Sequence, residues 1–397
     1  MKNMAVLGVG QTKFGEHWTK SLRDLSNEAG IRALTDAGIE GRKIQAMFVG
    51  NMSSGKFIGQ EHLGALAVDH AGLTPIPSTR CEGACASGSL AFRKALLSIA
   101  SGEYDIVVAA GSEKMTDIRD ASVTSALMGA GDQEWESTVG LTFAGLYALI
   151  ARAHMKQYGT TREQMGLMSV NSHKNAVHNE DAQFPFAVKL EDVINSTMVA
   201  NPLTLLDCSP ISDGAAAAII VSEDWVKENR DKIPNLDEKL IWVHGSGQAS
   251  DSLALHDRKS LTELIATKFA AKQAYDQANV SVKDIDMVEV HDCFSINGLI
   301  SLEDLGFCEK GKGGKFIEDD NISLNSTISV NTSGGLKAKG HPVGATGIAQ
   351  IVEAVKQLRG TCGDRQVKKI DYAMTHNVGG TGATAVVHIF NRNKVLK

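Results

Sequence analysis

Residues 33–51, ALTDAGIEGRKIQAMFVGN, and residues 274–292, AYDQANVSVKDIDMVEVHD, align without a gap. Ala33 meets Ala274, Ala37 meets Ala278, Ile39 meets Val280, Ile44 meets Ile285 and Val49 meets Val290. Each copy reads as a helix end, a short turn and a buried strand, since a short apolar run bounded by turn residues has strand length. The order that follows also repeats. A glycine-rich turn and helix begin at Cys85 and again at His341, and a strand comes next, at 104–110 and at 370–375. Both halves close on small residues leading into an apolar strand, Ser212-Asp-Gly-Ala-Ala-Ala-Ala-Ile-Ile-Val and Gly380-Thr-Gly-Ala-Thr-Ala-Val-Val-His-Ile. A helix–strand alternation written twice restricts the fold to two similar α/β units with helix-covered sheets. Pseudo-symmetry then sets equivalent turns opposite one another at a shared cleft.

The 397 residues suffice for two cores, because single cores seldom grow past about 250–300 residues. The pattern changes between 116 and 205, where helical segments appear at 141–158 and 161–176. The predicted division is therefore 1–115 with 206–245 as the first half, 116–205 as an inserted loop domain over the cleft, and 246–397 as the second half. Thr161-Arg-Glu-Gln reads as a threonine-capped helix start, with the acidic residue one position early for a capping box. Lys310-Gly-Lys-Gly-Gly-Lys315 reads as a flexible, solvated basic loop.

A formal net charge of −6 argues against nucleic acid as a partner. The six cysteines, at 81, 85, 208, 293, 308 and 362, form no C-x-x-C pair and no framework spacing, which points to a reducing compartment and away from structural zinc. The N-terminal apolar run is too short for a signal peptide, and no stretch has the length to span a membrane. The expectation is a cytoplasmic protein with no metal.

Cys85 lies in Cys81-Glu-Gly-Ala-Cys-Ala-Ser-Gly88, directly ahead of a good helix former. Unpaired N–H groups and the positive end of a helix favour thiolate, so the position suits a nucleophile. Gly340-His-Pro-Val-Gly-Ala-Thr-Gly347 presents His341 on a rigid turn, well typed to exchange a proton with a thiol. His291-Asp-Cys-Phe-Ser295 follows a strand and brings a second imidazole and a second thiol, Cys293, to a strand end. Asn377-Val-Gly-Gly-Thr-Gly382 offers backbone N–H groups for an oxyanion pocket. Gly8-Val-Gly-Gln-Thr-Lys-Phe-Gly15 lacks the third glycine of a dinucleotide fingerprint and the ending of a phosphate loop, so neither reading applies.

Together these segments resemble the thiolase superfamily across essentially the whole chain. The resemblance rests on Ala84-Cys-Ala-Ser-Gly88, His291-Asp-Cys-Phe294, Gly340 to Gly347, Ser212-Asp-Gly-Ala-Ala-Ala217, and His154-Met with Tyr158 to Met165. It is strongest to the archaeal acetyl-CoA acetyltransferase and sterol-carrier-protein-type branch. The resemblance implies a five-layer α-β-α-β-α fold from two pseudo-symmetric halves, with the loop domain helping to hold coenzyme A. It implies Cys85 as acyl acceptor, His341 as its proton partner, His291 and His341 as a polarising pair for a thioester oxygen, and the N–H groups of Cys85 and Gly379 as a second oxyanion hole. Many thiolases place a second acid/base cysteine in a C-x-G motif, where this chain has Asn377-Val-Gly379. An amide cannot take that proton, and in the sterol-carrier-type branch the cysteine of H-D-C-F takes over, which points to Cys293.

The implied activity is reversible condensation of two acetyl-CoA to acetoacetyl-CoA and CoA, by ping-pong Claisen chemistry, as the first step of the mevalonate pathway. No cofactor is implied beyond the coenzyme A thioester substrate. The alternatives are a degradative 3-ketoacyl-CoA thiolase of broader chain length, a decarboxylating ketoacyl synthase, and a non-catalytic acyl-CoA-binding scaffold. The resemblance also implies a homodimer or tetramer. It further implies a complex with 3-hydroxy-3-methylglutaryl-CoA (HMG-CoA) synthase and a zinc-ribbon/OB-fold scaffold protein.

Overall fold

The computed structural model describes residues 3–119 and 121–394. The first set of strands is β1 (Met4–Gln11), β2 (Ala46–Gly50), β3 (Ser78–Cys81), β4 (Ile106–Glu113) and, beyond a small ribbon of β5 (Met198–Ala200) and β6 (Leu203–Thr204), β7 (Gly214–Ser222). The second set is β8 (Ile241–Ser250), β9 (Met287–Glu289), β10 (Ser329–Val330), β11 (Tyr372–Gly379) and β12 (Thr384–Asn391). Their spatial orders are β3-β2-β4-β7-β1 and β10-β9-β11-β12-β8, the same path taken twice. Parallel and antiparallel pairings match position for position. The halves meet edge to edge where Ala5 pairs with Trp242 and Val6 with Ile241.

The repeat holds residue by residue. Helix Leu22–Ala37 ends on Gly38 and helix Ile265–Ala278 on Asn279, both left-handed, as a C-cap that closes the last carbonyls requires. Turns at Gly41–Lys43 and Val282–Asp284 then feed β2 and β9. The Gly8-Val-Gly10 segment finds its explanation here. A Cβ on Gly8 would stand 2.5 Å from the Ala33 carbonyl oxygen, and one on Gly245 2.2 Å from that of Ala274. The glycines let each outer helix lie directly on its sheet.

Five layers follow from where the apolar side chains go. Leu25, Ala29 and Ala33 cover one face of the first sheet with Leu7, Val108 and Ile219. Phe92, Leu96 and Ile99 of helix Ser87–Ala100 and Ile348, Ile351 and Val355 of helix Thr346–Arg359 fill the space between the sheets, against Val107 and Ile220 on one side and Ala373 and Phe390 on the other. Ala270 and Ala274 pack the far face with Val387 and Ile389. Strands buried on both faces explain the unbroken apolar run of β7.

The strand β8 begins at Ile241, so it crosses the expected 245/246 boundary and opens the second set of strands. Between β4 and β7 stand helices Ala121–Met128, Phe143–Tyr158, Arg162–Ala176 and Leu190–Asn195. At Thr161 the capping box is present and is closed by Gln164: the Gln164 N–H donates to Thr161 Oγ1 (3.2 Å) and the Thr161 N–H to Gln164 Oε1 (3.1 Å). The basic segment at 310–315 is solvated at Lys312 and Lys315 but not at Lys310. Lys310 Nζ pairs with Glu303 (3.1 Å) and Asp304 (2.8 Å), and residues Gly313–Glu318 are helical. Among the described residues no helix is long and apolar enough to cross a membrane.

Candidate active site

Cys85 is delivered by a turn between β3 and helix Ser87–Ala100. Ala84 takes a left-handed φ of 51°, which costs an alanine on the order of 1 kcal/mol. Local bonds hold it there: the Ala84 N–H donates to Glu82 Oε1 (2.6 Å), the Gly83 N–H to Ser87 Oγ (3.0 Å), and Ser87 Oγ to the Ala84 carbonyl (2.6 Å). The expectation that the helix end would yield a resting thiolate is overturned. Burial pushes the Cys85 thiol up to about 12, against the opposing pull of the Gly380 N–H and its own N–H, with Glu113 adding a smaller upward push. Desolvation of a charge outweighs one helix terminus. The thiol is neutral at rest and needs a base. The Gly380 N–H acts on the sulfur together with that of Cys85, a donor beside the expected Gly379.

His341 comes from the turn before helix Thr346–Arg359. Its own N–H donates to Ser212 Oγ (2.9 Å), so the Ser212-Asp213-Gly214 segment anchors the turn. The two catalytic turns touch backbone to backbone: a Cβ on Gly88 would stand 2.8 Å from the Gly344 carbonyl oxygen. The ring's tautomer can be read from its neighbours. Thr346 Oγ1 donates its single proton to the Pro342 carbonyl (3.0 Å), so at 2.7 Å from Nδ1 it accepts from an Nδ1–H. Nε2 then carries a bare lone pair, buried and without a hydrogen-bond partner. Burial lowers this imidazole to about 3, so it is neutral.

His291 has the opposite tautomer. Asn377 Nδ2 lies 3.0 Å from its Nδ1. Asn377 Oδ1 sits over the start of helix Thr346–Arg359, since a Cβ on Gly347 would be 2.3 Å from it, and the positive helix end favours the oxygen there. The amide therefore donates to Nδ1, and the proton of His291 is on Nε2, also buried and unpartnered. Burial, then His341 and His376, lower this imidazole well below the ordinary range. The rings lie 5.1 Å apart at 81°. Asp292 accepts from the Leu336 N–H (2.6 Å) and Ser172 Oγ (2.8 Å), tying the segment to the turn before His341 and to the inserted domain.

The Cys85 sulfur and one nitrogen from each of His291 and His341 fall within 4.8 Å of one another. Cys293, 5% exposed, joins them, near enough to Cys85 and Tyr147 for both to act on its thiol. All four candidate side chains thus meet in one pocket. A thiol and two imidazoles form a possible donor set for a soft cation, yet the proton on His291 Nε2 leaves only one bare nitrogen facing the thiol. The chemistry the set fits is proton transfer from thiol to His341 and hydrogen bonding to a developing oxyanion by His291. A cavity of about 320 Å³ opens beside the nucleophile turn, lined by Met52, Glu82, Ala84, Gly379 and Thr384. One of about 330 Å³ under helix Leu22–Ala37 touches none of these groups.

Tyr147, Thr346 and the positioning role of Asn377 were not found from the sequence. Thr346 stands inside a glycine-rich motif, and Tyr147 in a segment without a repeat partner, so only contacts distant along the chain identify them.

Two like α/β halves meeting at a cysteine–histidine–histidine pocket define the class of acyltransferases that work through such sites. Residues 4–224 match the family model "Thiolase, N-terminal domain" and residues 247–392 "Thiolase C-terminal domain-like". The chain is 57% identical to the acetyl-CoA acetyltransferase of Methanothermobacter thermautotrophicus, over 99% of this chain and 100% of that protein. It is 52% identical to that of Methanocaldococcus jannaschii, over 98% and 99%. Among solved structures it is similar to the "Ltp2-ChsH2(DUF35) aldolase", with a TM-score of 0.85 and 25% identity over 99% of each chain. The chain belongs to the thiolase family and is an acyltransferase enzyme.

Proposed function

We propose that the protein condenses two acetyl-CoA into acetoacetyl-CoA and CoA, reversibly, through an acetyl group carried on Cys85. The observation that carries this reading is the convergence of the Cys85 sulfur with two imidazoles of opposite tautomer, beside a second thiol. His341 Nε2 takes the Cys85 proton as the sulfur attacks the thioester, and the N–H groups of Cys85 and the 379–380 turn receive the oxyanion. Cys293 gives its proton to the departing CoA sulfur and is left as a thiolate. It then removes an α-proton from the second acetyl-CoA, whose enolate oxygen is stabilised by His291 Nε2–H and by the protonated His341. The enolate carbon attacks the acetyl group, the Cys85 sulfur leaves, and His341 returns its proton. No cofactor is needed, since every proton taken is given back.

Similarity to two acetyl-CoA acetyltransferases supports the short-chain reading over a degradative thiolase of broader range. Rates with acetoacetyl-CoA and longer 3-ketoacyl-CoAs test it, and a preference for the longer substrates would overturn it. Cys293→Ala separates the thiolase reading from a decarboxylating synthase, which needs no second thiol base. We further propose a cytoplasmic homo-oligomer at the head of the mevalonate pathway. It hands its product to HMG-CoA synthase through a zinc-ribbon/OB-fold scaffold. Similarity to an aldolase whose solved form is described with a DUF35 partner is in keeping with such a scaffold. Co-purification at modest salt tests it, and isolation without either partner would count against it.

A further inference from the structure

Glu113 ends β4 with its carboxylate fully buried. Taking a charge out of water is costly unless donors replace the water, and here three neutral N–H groups do so. Oε1 accepts from Asn51 Nδ2 (2.9 Å) and the Ser53 N–H (3.1 Å), and Oε2 from the Met52 N–H (2.8 Å). Arg80 of β3 holds the same turn by a carbonyl, its Nη2 donating to the Met52 oxygen (2.9 Å). Residues 51–53, which follow β2, are thus clamped by side chains from both neighbouring strands.

The clamped turn is part of the site. Met52 and Ser53 line the cavity of about 320 Å³ beside the nucleophile turn. Met52 also belongs, with Ala84 and Val343, to the apolar cluster against which Cys85 packs. The His341 turn rests on the carboxylate itself, since a Cβ on Gly344 would stand 2.7 Å from Glu113 Oε2. One side chain therefore joins the cavity wall to the turn that carries the base, beside the thiol. It does not activate that thiol, because its charge pushes Cys85 further toward the neutral form.

We propose that Glu113 is a positioning residue for acyl transfer, its ionised carboxylate holding the 51–53 wall and the His341 turn in register with the Cys85 sulfur. The proposal rests on the reading of Cys85 as acyl acceptor and His341 as its base. Ionisation matters because all three partners are donors, and protonation turns an acceptor oxygen into a donor beside an N–H. Burial raises this carboxyl to about 7, against the pull of the Met52 and Ser53 N–H groups, Arg80 and Asn51. The charged or titratable groups near it are Arg80 from β3, Cys85 from the nucleophile turn and His341 beyond Gly344, while Lys114 pairs with Asp213 (2.8 Å). Cys85 is held near 12 and His341 near 3, so between about pH 5 and 9 neither reacting group titrates. As pH falls through 7, Glu113 takes up a proton, the clamp loosens and acyl transfer slows.

The test is the single-turnover rate of Cys85 acetylation at saturating acetyl-CoA across that pH window, read by rapid quench and peptide mass spectrometry. It compares the parent with Glu113→Gln and Glu113→Asp. In the parent the rate rises with pH along a limb near 7. Glu113→Gln matches the size but sets an amide N–H₂ against the donors. Its acetylation slows on the order of 10²-fold, the cost of misplacing reacting groups by about 1 Å, and no longer varies with pH over the window. Glu113→Asp keeps the charge, so its rate lies above that of Glu113→Gln and a limb remains, at a different pH. A limb that stays at the parent's pH in either variant belongs to another group and overturns the proposal, even where lost packing has lowered the rate. A flat parent profile, or parent-like rates in Glu113→Gln, overturns it too, while acetyl found on Cys85 leaves the underlying reading standing. Should Glu113→Gln not fold, the position of the limb in Glu113→Asp decides. No acetyl on Cys85 in the parent removes that reading, and the proposal with it.

Discussion

At the scale of single residues, the site works by giving two identical side chains different protons. Thr346 commits His341 to a bare Nε2, and Asn377 commits His291 to a protonated one. The position where many relatives keep a cysteine is thus occupied by the residue that sets the second imidazole. Asn377→Leu removes the donor to Nδ1 and frees the His291 proton to move there. Turnover should fall on the order of 10²-fold, as for loss of an oxyanion donor, with the KM for acetyl-CoA little changed. Steady-state kinetics checks both numbers. A second expectation concerns the resting thiol. Because Cys85 is held up near 12 and His341 down near 3, the free pair is thiol and imidazole. Alkylation of Cys85 by iodoacetamide should keep rising with pH beyond 9. A plateau near neutral pH would instead reveal a preformed thiolate–imidazolium pair.

At the scale of elements, close contact between helix and sheet makes particular glycines irreplaceable and leaves others free. Gly245→Ala puts a methyl 2.2 Å from the Ala274 carbonyl oxygen and should cost several kcal/mol, about what overpacking of a core costs. Gly30→Ala, in the middle of helix Leu22–Ala37 with open space around its Cβ position, should stabilise by about 0.5–1 kcal/mol. Thermal melting of the two variants reads both signs. Much of this scale was legible beforehand. The offset that aligns Ala33 with Ala274 also aligns the helix caps, the turns and the strands β2 and β9, because caps and strand starts have local signatures. What stayed hidden depended on contacts between distant parts of the chain. Lys310 looked solvated until Glu303 and Asp304 came to meet it, and the thiol of Cys85 looked acidic until its burial could be seen.

At the scale of the whole molecule, the central helix layer is shared by both halves and carries the catalytic turns at its helix starts. His388 of β12 is buried in that layer, 4.9 Å from the Phe92 ring, and burial lowers it to about 3. Below about pH 6.5 the unfolded chain binds a proton here that the folded chain refuses, so this group costs stability as pH falls toward 3. His388→Phe should therefore gain on the parent by about 1.4 kcal/mol per pH unit over that window, read from urea midpoints. In the proposed reaction the halves, their shared layer and the inserted domain together serve one event, the transfer of an acyl group onto a single sulfur. The most direct measurement is to mix the protein with acetyl-CoA alone, quench, digest and locate the acetyl group by peptide mass spectrometry. Acetyl on the peptide bearing Cys85, and its absence in Cys85→Ser, is the predicted result. Acetyl on Cys293, or on no cysteine while acetoacetyl-CoA is being turned over, would contradict it.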